Sequence, residues 1–235
     1  MLTFHAHHSS SAGNLYQVTA PNRRPLLLEC GVPIAEIKRS LGFRLTAHCG
    51  CLVTHAHQDH ARSVRDILAA GIDIYCSEST VRPILAAGPL DTHRLHIIAP
   101  MRQIQIDGWT IIPFEVVHDV DCLGYLITDG SRDRLLFAVD TAYIPQRFAP
   151  GLTHIAIETN YSDDLIDPSA PAAVTARLFG NHMELGTAID FILHQDLYRV
   201  REIHLLHLSE RNSNADGFRT RVQATTGIPV YVAPA

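Results

Sequence analysis

The stretch Cys51-Leu52-Val53-Thr54-His55-Ala56-His57-Gln58-Asp59-His60 runs from an apolar segment straight into four residues able to bind a metal. Cys51 to Thr54 reads as a buried strand delivering its last residue to a loop. Side chains alternate along extended backbone, so His55 and His57 can face the same side. Asp59 and His60 then sit where the chain turns into a helix predicted over 61–70 and ended by Gly71. Imidazole nitrogens and a carboxylate at this spacing suit Zn²⁺, and also Mn²⁺ or Fe²⁺. A merely polar, His-rich loop would not be expected to follow a buried strand so directly.

A two-ion site needs ligands from elsewhere in the chain, and they recur at one kind of position. His118 closes the strand predicted over 109–117, Asp140 the strand over 134–139, and His207 the strand over 203–206. Each is the first polar residue after an apolar run. Any one of them alone reads as a turn residue; together, after the anchor motif, they read as ligands.

Around these points the pattern is mixed. Strands are predicted over 2–5, 15–19, 26–29, 51–54 and 73–76, with helices over 34–41, 61–70 and 79–87. Further strands follow over 103–106, 109–117, 124–128, 134–139 and 153–157, and the chain closes on helix 184–195, strand 203–206, helix 214–225 and strand 228–232. Residues 145–151 and 163–171 read as surface loops. Strand meanders with helices added in each half predict an α/β fold layered αββα, two sheets between helices, in one domain over 1–235.

Composition narrows the function classes. With 46% hydrophobic and 18% charged residues the chain can bury a substantial core. A net charge of −5 argues against a broad basic nucleic-acid face, so phosphate contacts would fall to local arginines, with Arg44, Arg62 and Arg65 nearest the metal loop. Five scattered cysteines do not make a disulfide framework, and Cys49-Gly50-Cys51 reads as entry into a strand rather than a redox pair. No apolar run is long enough for a transmembrane helix and the N-terminus is not signal-like, so the cytoplasm is the expected compartment and no membrane partner is expected.

The run His55-Ala56-His57-Gln58-Asp59-His60 resembles the His-x-His-x-Asp-His signature of the metallo-β-lactamase superfamily. The resemblance implies a four-layer αββα sandwich and two divalent ions, Zn²⁺ first and Mn²⁺ or Fe²⁺ as alternatives. It implies that His55, His57 and His118 hold one ion, that Asp59, His60 and His207 hold the second, and that Asp140 bridges them. A hydroxide bridging the ions would then be the nucleophile. Ser9 to Asn14, Glu158-Thr159-Asn160 and Leu206 to Asn212 are similar to motifs of the small WalJ (YycJ)-like branch, over residues 2 to 232. That branch implies a phosphodiesterase or nuclease acting on DNA, RNA or a cyclic nucleotide, with nucleic acid or a small phosphodiester as partner. In this reading Asp59 also orients the nucleophile. His182, just before the helix 184–195, would meet a phosphate at the helix N-terminus or protonate the leaving oxygen.

Three places depart from the family pattern. Glu29-Cys30-Gly31 stands where the superfamily has Asp-x-Gly, and its longer carboxylate could support a ligand histidine. Asn181-His182-Met183-Glu184 replaces Gly-His-Leu-Ser. His5, His7 and His8, which precede the Ser9 to Asn14 motif, are the third; they could approach a substrate or form a wet edge strand. Glu158 could orient a ligand histidine or loop backbone, or be a solvated strand end. Trp109 and Tyr161 could stack a base, although a single aromatic in a strand is ordinarily core. Hydrolysis of a thioester, lactone or β-lactam is the competing enzymatic reading, and a non-catalytic binding module is the third.

Overall fold

The computed structural model describes all 235 residues. The first sheet runs, in chain order, through β1 (Thr3–Ser10), β2 (Gly13–Thr19), β3 (Leu26–Leu28), β4 (Gly50–Leu52), β5 (Ile74–Cys76) and β6 (Leu95–Ile97). The second runs through β7 (Ile104–Ile106), β8 (Trp109–Val116), β9 (Cys122–Thr128), β10 (Arg134–Ala138), β11 (His154–Glu158), β12 (Glu202–Leu206) and β13 (Val230–Val232). Pairing is antiparallel where short turns join strands, over β1–β3 and β7–β10. It is parallel over β3–β6 and β10–β13. Most of these parallel connections cross over through helices, as parallel neighbours require.

In the first half the crossovers are α1 (Ile34–Ser40), the short turns α2 (Gln58–Ala61) and α3 (Val64–Ala69), and α4 (Glu78–Ala86). In the second they are α5 (Ala172–Asn181), α6 (Leu185–Leu193) and α7 (Ala215–Thr226). Three apolar layers hold the assembly. Phe4, Tyr16 and Leu28 of the first sheet pack against Trp109, Tyr125 and Phe137 of the second. Ile37, Ile67 and Val81 bury one helical layer on the first sheet, and Ile189, Ile192 and Phe218 bury the other on the second. The predicted αββα sandwich is the observed one.

Several elements differ from expectation. The helix expected over 61–70 is two pieces, because Ser63 leaves the helical ladder: its N–H donates to the Cys30 carbonyl and its hydroxyl to the Val32 carbonyl. β6 and α5 are additional. β1 runs beyond the strand expected over 2–5 to take in Ser9 and Ser10, and it is irregular between Ala6 and His8. Trp109 is wholly buried, its indole N–H on the Arg24 carbonyl, so it stacks no base; Tyr161 is likewise buried. Cys49 and Cys51 face different apolar layers, and all five cysteines are free.

Parallel strands bring their carboxyl ends to one edge, where α/β sheets place their ligands. Glu29 follows β3, Thr54 and His55 follow β4, His118 follows β8, Asp140 follows β10, Glu158 ends β11, and His207 follows β12. Three of these, Glu29 (φ 64°), Asp140 (φ 50°) and His207 (φ 54°), adopt left-handed backbone. Such conformations are costly for residues with a Cβ and concentrate at functional sites.

Candidate metal centre

Seven side chains meet at this edge. The ligand atoms of His55, His57, His118 and Asp140 all lie within 4.8 Å of one another, as do those of Asp59, His60, Asp140 and His207. Asp140 belongs to both sets. Its Oδ2 is 3.7 Å from His55 Nε2 and 3.8 Å from His118 Nε2 on one side, and 3.1 Å from His60 Nε2 on the other. His55 Nε2 stands 3.0 Å from His57 Nδ1, and His118 Nε2 stands 3.5 Å from the same atom.

Chemistry tells whether this donor set suits cations. His207 Nε2 and Asp140 Oδ1 are buried without a hydrogen-bond partner in the protein, which is costly for polar atoms in any other role. Lone pairs of three imidazoles also converge on one point. Two divalent ions fit these donors, and Asp140 is placed to serve both.

Around the donors lies a supporting layer that fixes ring orientation. His55 Nδ1 is 2.9 Å from the Thr54 hydroxyl, and His118 Nδ1 donates to the Asn181 carbonyl at 3.1 Å; both leave Nε2 for the centre. Glu29 lies under His60, with Oε2 3.5 Å from Nδ1, and accepts weakly from the Thr54 N–H. The N-terminal Ser/Asn motif does similar work. The Ser9 hydroxyl accepts from the His207 N–H at 2.8 Å, and the Asn14 amide donates to the Asp59 carbonyl at 3.1 Å. Tyr16 ties the two together through its hydroxyl. Asn160 secures the His207 loop by donating to its carbonyl at 2.6 Å.

Gly31 matters through close approach. A Cβ there would stand 1.6 Å from the Asp59 carbonyl oxygen, so only glycine lets the metal loop pack on the end of β3. Hydrogen bonds from the Cys30 N–H to the His60 carbonyl and from the Gly31 N–H to the Asn14 carbonyl complete that joint.

Electrostatics follows from burial and proximity. Burial opposes charge on His207, but the nearby Asp140, Asp59 and Glu158 carboxylates overcome it and push its pKa up to about 10. His60 is raised in the same way, against burial, by Asp140 and Glu29. Burial acts against the charged form of Asp140 too, yet the His207 and His60 imidazoles hold its carboxyl well below the usual range. His55 and His118 are lowered by burial.

His182 sits at the rim, and its setting differs from expectation. It is the residue that ends α5, and the N-terminus of α6 is already filled by Glu184, whose carboxylate accepts from the Thr187 N–H at 3.0 Å. The α6 N-terminus is therefore not open to an anion beside His182. Instead His182 Nδ1 donates to Glu158 Oε1 at 2.7 Å, and this fully buried carboxylate raises the His182 pKa against the effect of burial. Glu158 Oε1 also lies 3.3 Å from His207 Nδ1, and Oε2 accepts from the Thr141 N–H. It is a support under two histidines, not a solvated strand end.

Other candidates lie elsewhere. His8 contacts Ser40 and Glu36 of the α1 segment, and neither it, His5 nor His7 contacts the centre. Arg65 donates to the Ile84, Gly88 and Pro89 carbonyls, closing the end of α4, so it is not free for phosphate. Asp119, which the sequence does not single out, comes close: Oδ1 is 3.1 Å from His118 Nε2 and 3.7 Å from His57 Nε2, and Oδ2 accepts from the Asn181 amide. Its only signal in the sequence is adjacency to His118. Beside it a cleft of about 640 Å³ opens between the start of α4, the segment after β6 and the β8–β9 loop.

A family model described as a β-lactamase superfamily domain matches residues 35–207. No curated protein matches the chain. Among solved structures, the metallo-β-lactamase fold protein YhfI of Bacillus subtilis superposes with a TM-score of 0.77 at 18% identity, over 100% of this chain and 96% of that one. The short form of human tRNase Z gives 0.68 at 14% identity, over 100% and 96%. A diphosphatase of the PhnP family gives 0.67 at 14% identity, over 100% and 95%. At these identities the likeness speaks for the fold.

Proposed function

The chain belongs to the metallo-β-lactamase superfamily, and from that premise we propose that it is a metal-dependent phosphodiesterase. His55, His57 and His118 would hold one divalent ion and Asp59, His60 and His207 the other, with Asp140 between them. Zn²⁺ is the ion this donor set suits first, Mn²⁺ or Fe²⁺ the alternatives. Bound there, the ions would supply Lewis acidity to a phosphoryl oxygen and make water nucleophilic at neutral pH.

The observation that carries the reading is the Glu158–His182 pair. Glu158 receives the Nδ1 proton of His182 at 2.7 Å and favours its charged form, so that Nε2 would be the nitrogen to meet a substrate. A cation at that rim can bind a phosphodiester oxygen and then pass its proton to the departing alkoxide. Asp59, whose Oδ2 lies 3.3 Å from His60 Nε2 and whose side chain is partly open to solvent, would orient the attacking water through its carboxylate. Asp59→Asn should lower turnover about 10²-fold, the scale of a positioned acid/base group, while retaining much of the metal.

The discriminating experiment is a panel on metal-loaded protein: bis-p-nitrophenyl phosphate, an acyl thioester and nitrocefin. Hydrolysis of the diester above the other two is expected. Preferential cleavage of the thioester or nitrocefin would assign the centre to carbonyl chemistry instead.

A further inference from the structure

The cleft beside His118 is continuous with the candidate centre. His118 presents its Nε2 to the ligand cluster and also lines the cleft, and Asp119 stands at the junction. An ester arm leaving a phosphorus atom held at the cluster would pass directly into it. Its volume of about 640 Å³ lies within the range of small-molecule sites.

The lining is apolar inside and acidic at the rim. Ile98, Val116, Cys122 and Leu123 form a buried floor, while Ile97, Val117 and Val120 are 60%, 45% and 40% exposed along the walls. Large aliphatic side chains around a concavity favour an apolar occupant. Four carboxylates, Glu78, Glu115, Asp119 and Asp121, meet one cation, Arg82, and Arg82 is already paired with Glu78 at 2.8 Å. A second phosphate in the cleft would find no free guanidinium and would face like charge within a screening length of about 8 Å. Polynucleotide tracks have the opposite character, a basic groove with aromatic platforms.

We propose that this cleft binds the uncharged, apolar alcohol arm of a small phosphodiester and selects against polynucleotides. The proposal rests on the phosphodiesterase reading. The arm would lie against Ile97, Val117 and Val120, with the single phosphate charge left at the centre. Specificity then comes from where the second charge of a longer substrate would have to go.

The test compares bis-p-nitrophenyl phosphate with a single-stranded oligodeoxynucleotide on wild type, Ile97→Lys and Val120→Lys, with bound metal measured for each. For wild type, kcat/KM for the small diester should exceed that for the oligonucleotide. Each lysine should raise KM for the small diester about tenfold, the scale of one mismatched group in an apolar pocket, with kcat within about twofold and metal content unchanged. It should also lower KM for the oligonucleotide. If no diester is hydrolysed by metal-loaded wild type, the phosphodiesterase reading falls and this inference with it. If the small diester is hydrolysed but neither lysine moves its KM, or the oligonucleotide is the better wild-type substrate, the inference alone is overturned.

Discussion

Among single residues, the protonation of His182 is set by the carboxylate beneath it. Glu158 raises the His182 pKa, so His182 keeps its proton to higher pH than a free imidazole. Removing that negative charge in Glu158→Gln should lower the pKa and shift the alkaline limb of the kcat profile to lower pH. His182→Ala should remove the limb and cut turnover about 10²–10⁴-fold with two ions still bound. Elemental analysis beside the pH–rate profile checks both; lost metal in His182→Ala would put His182 among the ligands. Asp119→Ala should weaken metal affinity about 10–100-fold, the scale of a carboxylate supporting a ligand histidine, here His57, whose Nε2 it approaches at 3.7 Å while Nδ1 faces the cluster, as read by competition with a chromogenic chelator. Of the seven converging residues, His55, His57, Asp59 and His60 are legible as one clustered run after a buried strand, and His118, Asp140 and His207 because each is the first polar group after an apolar run. Asp119 is not legible, since an acid in a turn looks the same whether or not it folds back onto two histidines. Glu158 reads two ways until β11 and β12 are seen paired, which is what places it under His207.

Elements decide whether those residues meet at all. The joint between β3 and the metal loop depends on Gly31, where any Cβ collides with the Asp59 carbonyl. Gly31→Ala should therefore destabilise the protein by about 1–3 kcal/mol, as overpacking does, and lower metal occupancy as well. Thermal melting and elemental analysis measure the two; a variant with unchanged melting and full metal would show that the loop can move aside. Most strands and helices are legible from apolar periodicity, but three features are not. α5 is largely exposed, so it offers no long buried stripe for a pattern to report. β6 has only three residues, and its inner partner β5 supplies its pairing. The break at Ser63 comes from hydrogen bonds to Cys30 and Val32, residues some thirty positions away. Local propensity cannot anticipate such a tertiary contact.

For the whole molecule, metal binding and folding share one set of charged groups. His60 and His207 have pKa values above the ordinary 6.5 of imidazole. A raised value contributes stability that is complete below pH 6.5 and lost as pH climbs through the folded value, about 10 for His207. Metal-free protein should thus lose stability from about pH 6.5 upward, while Asp140, whose pKa is depressed, keeps its contribution throughout that window. Zn²⁺ binding near pH 7.5 must expel the imidazole protons, so calorimetry in buffers of different ionisation enthalpy should report release of about two per chain. Chelation should correspondingly lower the melting temperature more at pH 8 than at pH 6. The central claim, a two-ion phosphodiesterase, is tested most directly by titrating metal-free protein with Zn²⁺ or Mn²⁺ and following bis-p-nitrophenyl phosphate hydrolysis against bound metal. Activity should climb to a plateau at two bound ions per chain; full activity without metal, or no diester hydrolysis at two bound ions, would contradict it.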